Sequence, residues 1–310
     1  MTVISLQPDN RVGNTDLHIA GIGLGTASIG TLYSDVSEAQ AIETVQFALA
    51  HGVNYFDTAP FYSERLCETR LGLALTGISR DSYVLSTKVG RPDGSNDMDF
   101  SADGVKRSIE GSLRRLRTNR IDILLIHDPN PQTYRAALNE AYPVLADLRR
   151  QGVIKAVGVG MNYWELLTDF ARDGDFDCFI LAGRYTLLEQ GALNALNQFA
   201  AKGISVLAAG IYNSGILTNG AWYQYASPSP AIIQRVSKLR AVCDKFAVAL
   251  PVAALRFVSA HPSVASLVVG CESATQLAQN IERLNTPIPT EFWQTLIAEG
   301  LLDAVAPVPQ

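Results

Sequence analysis

Leu148-Arg149-Arg150-Gln151-Gly152-Val153 runs into Ala156-Val157-Gly158-Val159. An amphipathic helix stops at a glycine, and an apolar strand begins a few residues later. The unit recurs. Phe47-Ala48-Leu49-Ala50-His51-Gly52-Val53 leads into the run that ends at Asp57, and Phe199-Ala200-Ala201-Lys202-Gly203-Ile204 leads into Ser205-Val206-Leu207-Ala208. Glycine suits each junction because helices commonly end in a left-handed residue, where a Cβ is unfavourable. The first helix also carries a start signal, Ser37 and Gln40 at capping-box spacing before Ala41-Ile42 and Val45.

Working outward from these units, strands are expected at about 18–25, 53–57, 83–88, 121–127, 155–160, 178–183, 205–211 and 265–270. Most are short and rich in Val, Ile and Leu, as strands buried on both faces should be. Helical patterns separate them. Eight strands alternating with helices predict an α/β chain folded as a (β/α)₈ barrel. The rival, an open doubly wound sheet, brings a Gly-x-Gly-x-x-Gly phosphate turn; Gly21-Ile22-Gly23-Leu24-Gly25 has the wrong spacing, so its glycines are expected to permit close packing at the barrel floor or mouth.

The 310 residues are 47% hydrophobic, ample for a large core. Length alone allows two domains, but such barrels run past ~250 residues as one. No Pro- or Gly-rich linker divides the chain, so 1–310 reads as one barrel domain with a C-terminal helix around Phe292 to Leu302. The loop-like stretch 211–230 carries Trp222, Tyr223 and Tyr225, which suit either local packing or a lid over a pocket, with Trp222 the candidate substrate contact.

Charged residues make up 18% of the chain and the net charge is -5, with Lys and Arg scattered, which argues against a nucleic-acid partner. Arg114, Arg115, Arg117 and Arg120 read as a solvated helix face. The four cysteines show neither metal-ligand spacing nor a disulfide framework, so no metal is expected. No run approaches the ~20 apolar residues of a membrane span, and Met1 to Asn14 lacks a signal-peptide pattern. A cytoplasmic protein acting on a small molecule is expected. Oligomeric state is not legible in the chain.

Four polar residues stand where strand ends should gather. Asp57 closes Val53-Asn54-Tyr55-Phe56, Tyr62 follows five positions later, Lys88 closes Tyr83-Val84-Leu85-Ser86-Thr87, and His127 closes Ile121-Asp122-Ile123-Leu124-Leu125-Ile126. Taken singly, Asp57 reads as a helix cap, Tyr62 as a partly buried aromatic, Lys88 as a strand surfacing into solvent and His127 as a structural histidine. Together, at one barrel mouth, they make a proton-handling set. A free phenol has a pKa of about 10 and is a poor catalyst at neutral pH. A neighbouring ammonium is expected to lower it, a carboxylate to anchor that ammonium, and an imidazole to orient a substrate oxygen. The expected roles are therefore Tyr62 as acid/base, Lys88 as its tuner, Asp57 as anchor and His127 as positioner.

At these residues the chain resembles the aldo-keto reductase superfamily. The matching pieces are Asp57-Thr58-Ala59-x-x-Tyr62 with Glu68 and Leu71-Gly72, Ser86-Thr87-Lys88, Ser112-Leu113-Arg114-Arg115-Leu116 before the strand ending at His127, and Gly158-Val159-Gly160-Met161-Asn162. The resemblance implies a (β/α)₈ barrel, a nicotinamide cofactor, the same four catalytic residues, and Asn162 as a hydrogen-bond partner of the nicotinamide carboxamide. The chain departs from the family pattern at Met161, where many members have Ser, at Ala182, where many have Gln, and at Ala209, where a Tyr often stacks on the nicotinamide; Tyr212 is the candidate substitute. The cofactor tail is expected along Val268 to Asn280, with Gly270, Glu272, Ser273, Gln276 and Asn280 as candidate contacts. No Lys or Arg occurs from Val258 through Ile281, and an acid near the ribose accepts from a 2′-hydroxyl and repels a 2′-phosphate, so NAD is expected over NADP.

Within the superfamily the chain is similar to sugar 1-dehydrogenases acting on L-fucose, D-threo-aldoses or L-galactose, and to pyridoxal 4-dehydrogenases. The similarity is carried by Leu181 to Leu188, the His127-Asp128-Pro129 turn, and the tail from Phe292-Trp293 to Leu302. It implies oxidation of the C1 hydroxyl of an aldose to a lactone. Asp128 is a candidate for a substrate hydroxyl, beside its plainer role as a turn residue before Pro129. Two alternatives stay open: the same chemistry on pyridoxal or another carbonyl, and a non-catalytic cofactor-binding subunit, against which the retention of all four residues argues.

Overall fold

A computed structural model describes residues 10–30, 34–92 and 97–309. The chain forms a two-stranded hairpin, β1 (Asn10–Arg11) and β2 (His18–Ile19), followed by eight parallel strands: β3 (Ile22–Gly25), β4 (Tyr55–Asp57), β5 (Val84–Val89), β6 (Ile123–His127), β7 (Ala156–Met161), β8 (Cys178–Ala182), β9 (Ser205–Ala209) and β10 (Val264–Gly270). β3 to β10 close into a barrel in chain order, with β10 pairing both β9 and β3. The helices are α1 (Glu38–Ala50), α2 (Leu66–Ala74), α3 (Ala102–Arg115), α4 (Tyr134–Ala136), α5 (Tyr142–Arg150), α6 (Trp164–Asp173), α7 (Leu193–Ala201), α8 (Pro230–Lys245), α9 (Leu250–Ser259), α10 (Ala274–Asn285) and α11 (Thr290–Ala298).

The expected barrel is present. Gly52, Gly152 and Gly203, which close the three repeat units, have φ of 80°, 72° and 71°. Any other residue at these junctions would strain the backbone. The expected strand 18–25 is two elements. His18–Ile19 pairs antiparallel with Asn10–Arg11, and only Ile22–Gly25 joins the barrel. Apolar character could not separate them, because Ile19 is as deeply buried as Ile22: it packs with Val12 against the interior residues Tyr55, Ile123, Leu125 and Leu207, closing the floor. The helix expected around Phe292 to Leu302 stops at Ala298, and Leu301 and Leu302 are buried beyond it after Gly300 turns at φ 66°.

Glycines inside the barrel make room for its polar interior. A Cβ on Gly23 would stand 2.5 Å from the Tyr55 ring. At Gly158 it would collide with the Cys178 carbonyl and the Leu125 side chain. Gly158→Ala is expected to destabilise the protein by about 1–3 kcal/mol or more, because overpacking against backbone finds little room to relax. Chemical denaturation measures this; a change under ~0.5 kcal/mol, the range of ordinary surface substitutions, would show that the wall yields.

The capping box on α1 is half used. Ser37 Oγ accepts from the Gln40 amide at 3.2 Å, but the Gln40 side chain donates instead to the Glu272 carbonyl at 2.9 Å. It thereby ties α1 to the turn between β10 and α10.

Candidate active site

Strand register places the polar set at the C-terminal rim. Asp57 pairs with Ser86, Lys88 with Leu125 and His127 with Gly160. On β5 the side chains alternate. Ser86 and Lys88 face Asp57, while Thr87 faces out and donates to Glu68 Oε1 at 2.6 Å. Arg115 Nε donates to the other Glu68 oxygen, also at 2.6 Å, so the buried Glu68 pins β5 to α2 and α3.

Lys88 is fully enclosed and donates to Asp57 Oδ1 at 2.9 Å, Asp57 Oδ2 at 2.7 Å and the Thr58 carbonyl at 2.8 Å. An ammonium has three donors, and all are engaged. Ser86 Oγ donates to Asp57 Oδ1 at 2.6 Å, which leaves it to accept from Tyr55 OH at 2.9 Å. Asp57 is thus held by a hydroxyl relay that begins in the barrel floor, and it anchors Lys88 as expected.

The net shift of the Tyr62 phenol is upward, whereas an ammonium acting alone would lower it. Lys88 Nζ lies 4.7 Å from the centroid of the Tyr62 ring and acts on its face. Burial pushes the Tyr62 phenol well above its ordinary range, and the Asp57 and Asp128 carboxylates push it further. The three donors of Lys88 are taken by Asp57 and Thr58, and the raised Tyr62 phenol stays protonated at neutral pH. His127 packs edge-on to Tyr62 at 5.6 Å and to Phe61 at 5.8 Å. Burial, with help from Lys88 and Arg91, holds its imidazole well below the usual histidine range. It is neutral, able to donate one hydrogen bond. Asp128 Oδ2 lies 3.7 Å from Nε2, and Nδ1 is buried with no partner among the described residues, so the ring proton is favoured on Nε2.

Asp128 follows at φ 46°, a conformation aspartate tolerates better than most residues. Its carboxylate is partly exposed and accepts from Arg91 at 2.6 Å. Above the rim, Tyr223 and Ala226 exchange backbone hydrogen bonds across a two-residue turn in which Gln224 and Tyr225 both have positive φ, 49° and 62°. Glu189 anchors this turn, accepting from Tyr223 OH and from Gln224 Nε2 at 2.9 Å. Arg184 completes a strut, bonding Glu189 at 3.2 Å and the Asn162 carbonyl at 3.2 Å. Tyr225 on this turn contributes to the raised Tyr62 phenol, whereas Trp222 is 55% exposed and bridged to Gly215.

The remaining candidates lie past the ends of β7, β9 and β10. Asn162 is exposed just past β7. Ser273 caps α10, accepting from the Gln276 amide at 3.3 Å, and the Glu272 amide donates to Gln276 Oε1 at 2.9 Å. Gly270 backs onto Ser28, which leaves no space for a side chain. Tyr212 OH donates to the buried Asn280 at 2.6 Å. Arg283, two residues beyond the stretch that lacks Lys and Arg, folds back to donate to Asn280 Oδ1 at 3.0 Å and lies 6.0 Å from the Tyr212 ring centroid. The tail region is therefore not devoid of positive charge in space.

The aldo/keto reductase family model matches residues 21–298. The chain belongs to the aldo/keto reductase family. It is 35% identical to a pyridoxal 4-dehydrogenase from Microbacterium luteolum, over 94% of this chain and 97% of that one. It is equally, 35%, identical to a D-threo-aldose 1-dehydrogenase from a Pseudomonas species, over 92% and 95%. Among solved structures it resembles the holo form of aldo-keto reductase AKR11C1 from Bacillus halodurans, with a TM-score of 0.81, 25% identity and coverage of 97% and 98%.

For an aldo/keto reductase, this chain's less legible parts are those without a pattern of their own. Tyr55 lies in an apolar run and reads as an ordinary strand residue, and Ser86 stands out only as part of the family-like Ser86-Thr87-Lys88, with no role of its own. Arg91 follows Gly90, whose φ of 96° turns the chain back over the rim. The available signal was Gly90 itself, two residues after Lys88, where a tight turn could bring the next side chain back. Among the described residues no cluster could hold a metal ion and no helix is long and apolar enough to cross a membrane.

Proposed function

We propose that this oxidoreductase oxidises the C1 hydroxyl of an aldose to a lactone with NAD(P)⁺, Tyr62 acting as the acid/base. The observation that carries the reading is the juxtaposition of a protonated Tyr62 phenol, a neutral His127 and the Asp57–Lys88 pair at one rim. Similarity to the D-threo-aldose 1-dehydrogenase supplies the substrate class. A nicotinamide dinucleotide, when bound, supplies the hydride acceptor. The donor set fits one: Asn162 is exposed just past β7, the α10 N-terminus with Ser273 offers amides suited to phosphate, and Glu272, Gln276, Asn280 and Tyr212 would hold the tail.

His127 Nε2–H donates to the C1 oxygen and fixes its position. Tyr62 exchanges the proton at the same oxygen, giving it up in the carbonyl-reducing direction and, as phenolate, receiving it in oxidation. Asp57 keeps Lys88 against the Tyr62 ring face.

Glu272 would repel a 2′-phosphate and favours NAD, while Arg283 tempers the preference. Turnover efficiency with NAD⁺ is expected to exceed that with NADP⁺ by about tenfold, roughly 1.4 kcal/mol of one charge contact. A screen of L-fucose, D-arabinose, L-galactose and pyridoxal with both cofactors tests substrate and cofactor together. Oxidation of pyridoxal with no aldose turned over would reject the aldose reading, and a strong preference for NADP⁺ would reject the cofactor assignment.

A further inference from the structure

Asp128 and Arg91 occupy a place that the acid/base chemistry does not explain. Arg91 leaves β5 after Gly90 and lays its guanidinium over the Phe61 ring, with Cζ 3.5 Å from the centroid. Its side chain is 12% exposed, NH1 bonds Asp128 Oδ2 at 2.6 Å, and Nε is buried with no partner among the described residues. Phe61 in turn packs edge-on to His127. Asp128 is fixed from below as well, its backbone amide donating to the Gly160 carbonyl at 2.9 Å. Both partners are therefore held at the rim, and the carboxylate stands 3.7 Å from His127 Nε2.

An anionic acceptor beside the atom that holds the reacting oxygen cannot serve that oxygen. It would repel developing negative charge there. It suits a donor one atom further along the substrate. We propose that Asp128, held by Arg91, is a specificity-determining residue that accepts a hydrogen bond from the hydroxyl on the carbon next to the reacting one. The substrate class is then 2-hydroxy aldehydes and the aldoses that contain them. Simple aldehydes offer no donor and would leave the carboxylate desolvated and unpaired, the situation that gives hydroxyl-reading sites their discrimination. Burial raises the Asp128 carboxyl and the Arg91 guanidinium opposes that rise, in keeping with a carboxylate kept ready at a partly closed mouth. The inference rests on the reading of His127 and Tyr62 as the groups that hold the reacting oxygen.

The test compares reduction of glyceraldehyde and propionaldehyde, with NADH and with NADPH. The two aldehydes have equal carbon number and differ in hydroxyls. Wild-type enzyme is expected to favour glyceraldehyde in kcat/KM by at least about tenfold, with the difference mainly in KM. Asp128→Ala is expected to lower that ratio about tenfold or more. Asp128→Asn, which tolerates the same backbone conformation and still accepts a hydrogen bond, should retain part of it. Arg91→Gln, which frees the carboxylate, should raise KM for glyceraldehyde. An unchanged ratio in Asp128→Ala, a wild-type enzyme that does not discriminate, or turnover of neither aldehyde would overturn the proposal. If glyceraldehyde discrimination is present and Asp128-dependent but no aldose is oxidised, the dehydrogenase reading fails and the role of the pair stands.

Discussion

Tyr62→Phe is expected to lower kcat by about 10²–10⁴-fold, the usual contribution of a positioned acid/base, while nicotinamide cofactor binding changes little. The substitution removes one hydroxyl and keeps the ring that His127 and Lys88 pack against. Cofactor titration by fluorescence, alongside steady-state turnover, separates the two effects. Turnover within threefold of wild type would remove Tyr62 from the chemistry. The raised phenol sets a pH signature with a definite sign. Oxidation needs the phenolate, which is the minor form at neutral pH because burial and two carboxylates oppose it. Oxidative kcat/KM should therefore climb with pH across about 7–9, below the ordinary tyrosine range of about 10. Carbonyl reduction uses the protonated phenol and should stay flat over the same interval. A plateau in the oxidative profile below pH 8 would mean that the phenol is lowered in the working enzyme.

The second large effect concerns stability. Lys88→Met is expected to cost about 3–5 kcal/mol, because Asp57 would remain buried without its counter-charge. It should also abolish most turnover. Adding Asp57→Asn to Lys88→Met removes the uncompensated charge and should restore much of the stability without restoring activity. Ser86 could still hydrogen-bond the new amide oxygen, so the hydroxyl relay from Tyr55 survives. Denaturation of the two single variants and the double variant closes the cycle. Full recovery of both stability and turnover in the double variant would reduce the pair to scaffolding.

The rim set was legible because Asp57, Lys88 and His127 each end an apolar run, Tyr62 follows five positions after Asp57, and strand ends meet in a closed parallel barrel. The net direction of the Tyr62 shift was not legible. Sequence places an ammonium near a phenol, but only coordinates show that its three donors go to Asp57 and Thr58 and that two carboxylates face Tyr62. Between Val258 and Ile281 the chain has no Lys or Arg, yet Arg283 returns from the last turn of α10 to Asn280, so linear distance misjudges the local positive charge. Gln40 was seen as a cap and is a tether to the Glu272 carbonyl. In each case a long side chain chose a partner far away in sequence, which periodicity and spacing do not encode.

Loops on barrels of this kind invite exchange between relatives as a route to new substrates. Here the turn carrying Tyr225 is not a free-standing module. Glu189 grips it from the segment after β8, and Arg184 welds that segment to the carbonyl of Asn162. A graft of residues 222–226 alone would leave Glu189 without its Tyr223 and Gln224 partners and would loosen the outer end of the strut that runs through Arg184 to Asn162. The unit of inheritance is the two segments together, so recombination that respects both is the one that preserves the aim of the lid.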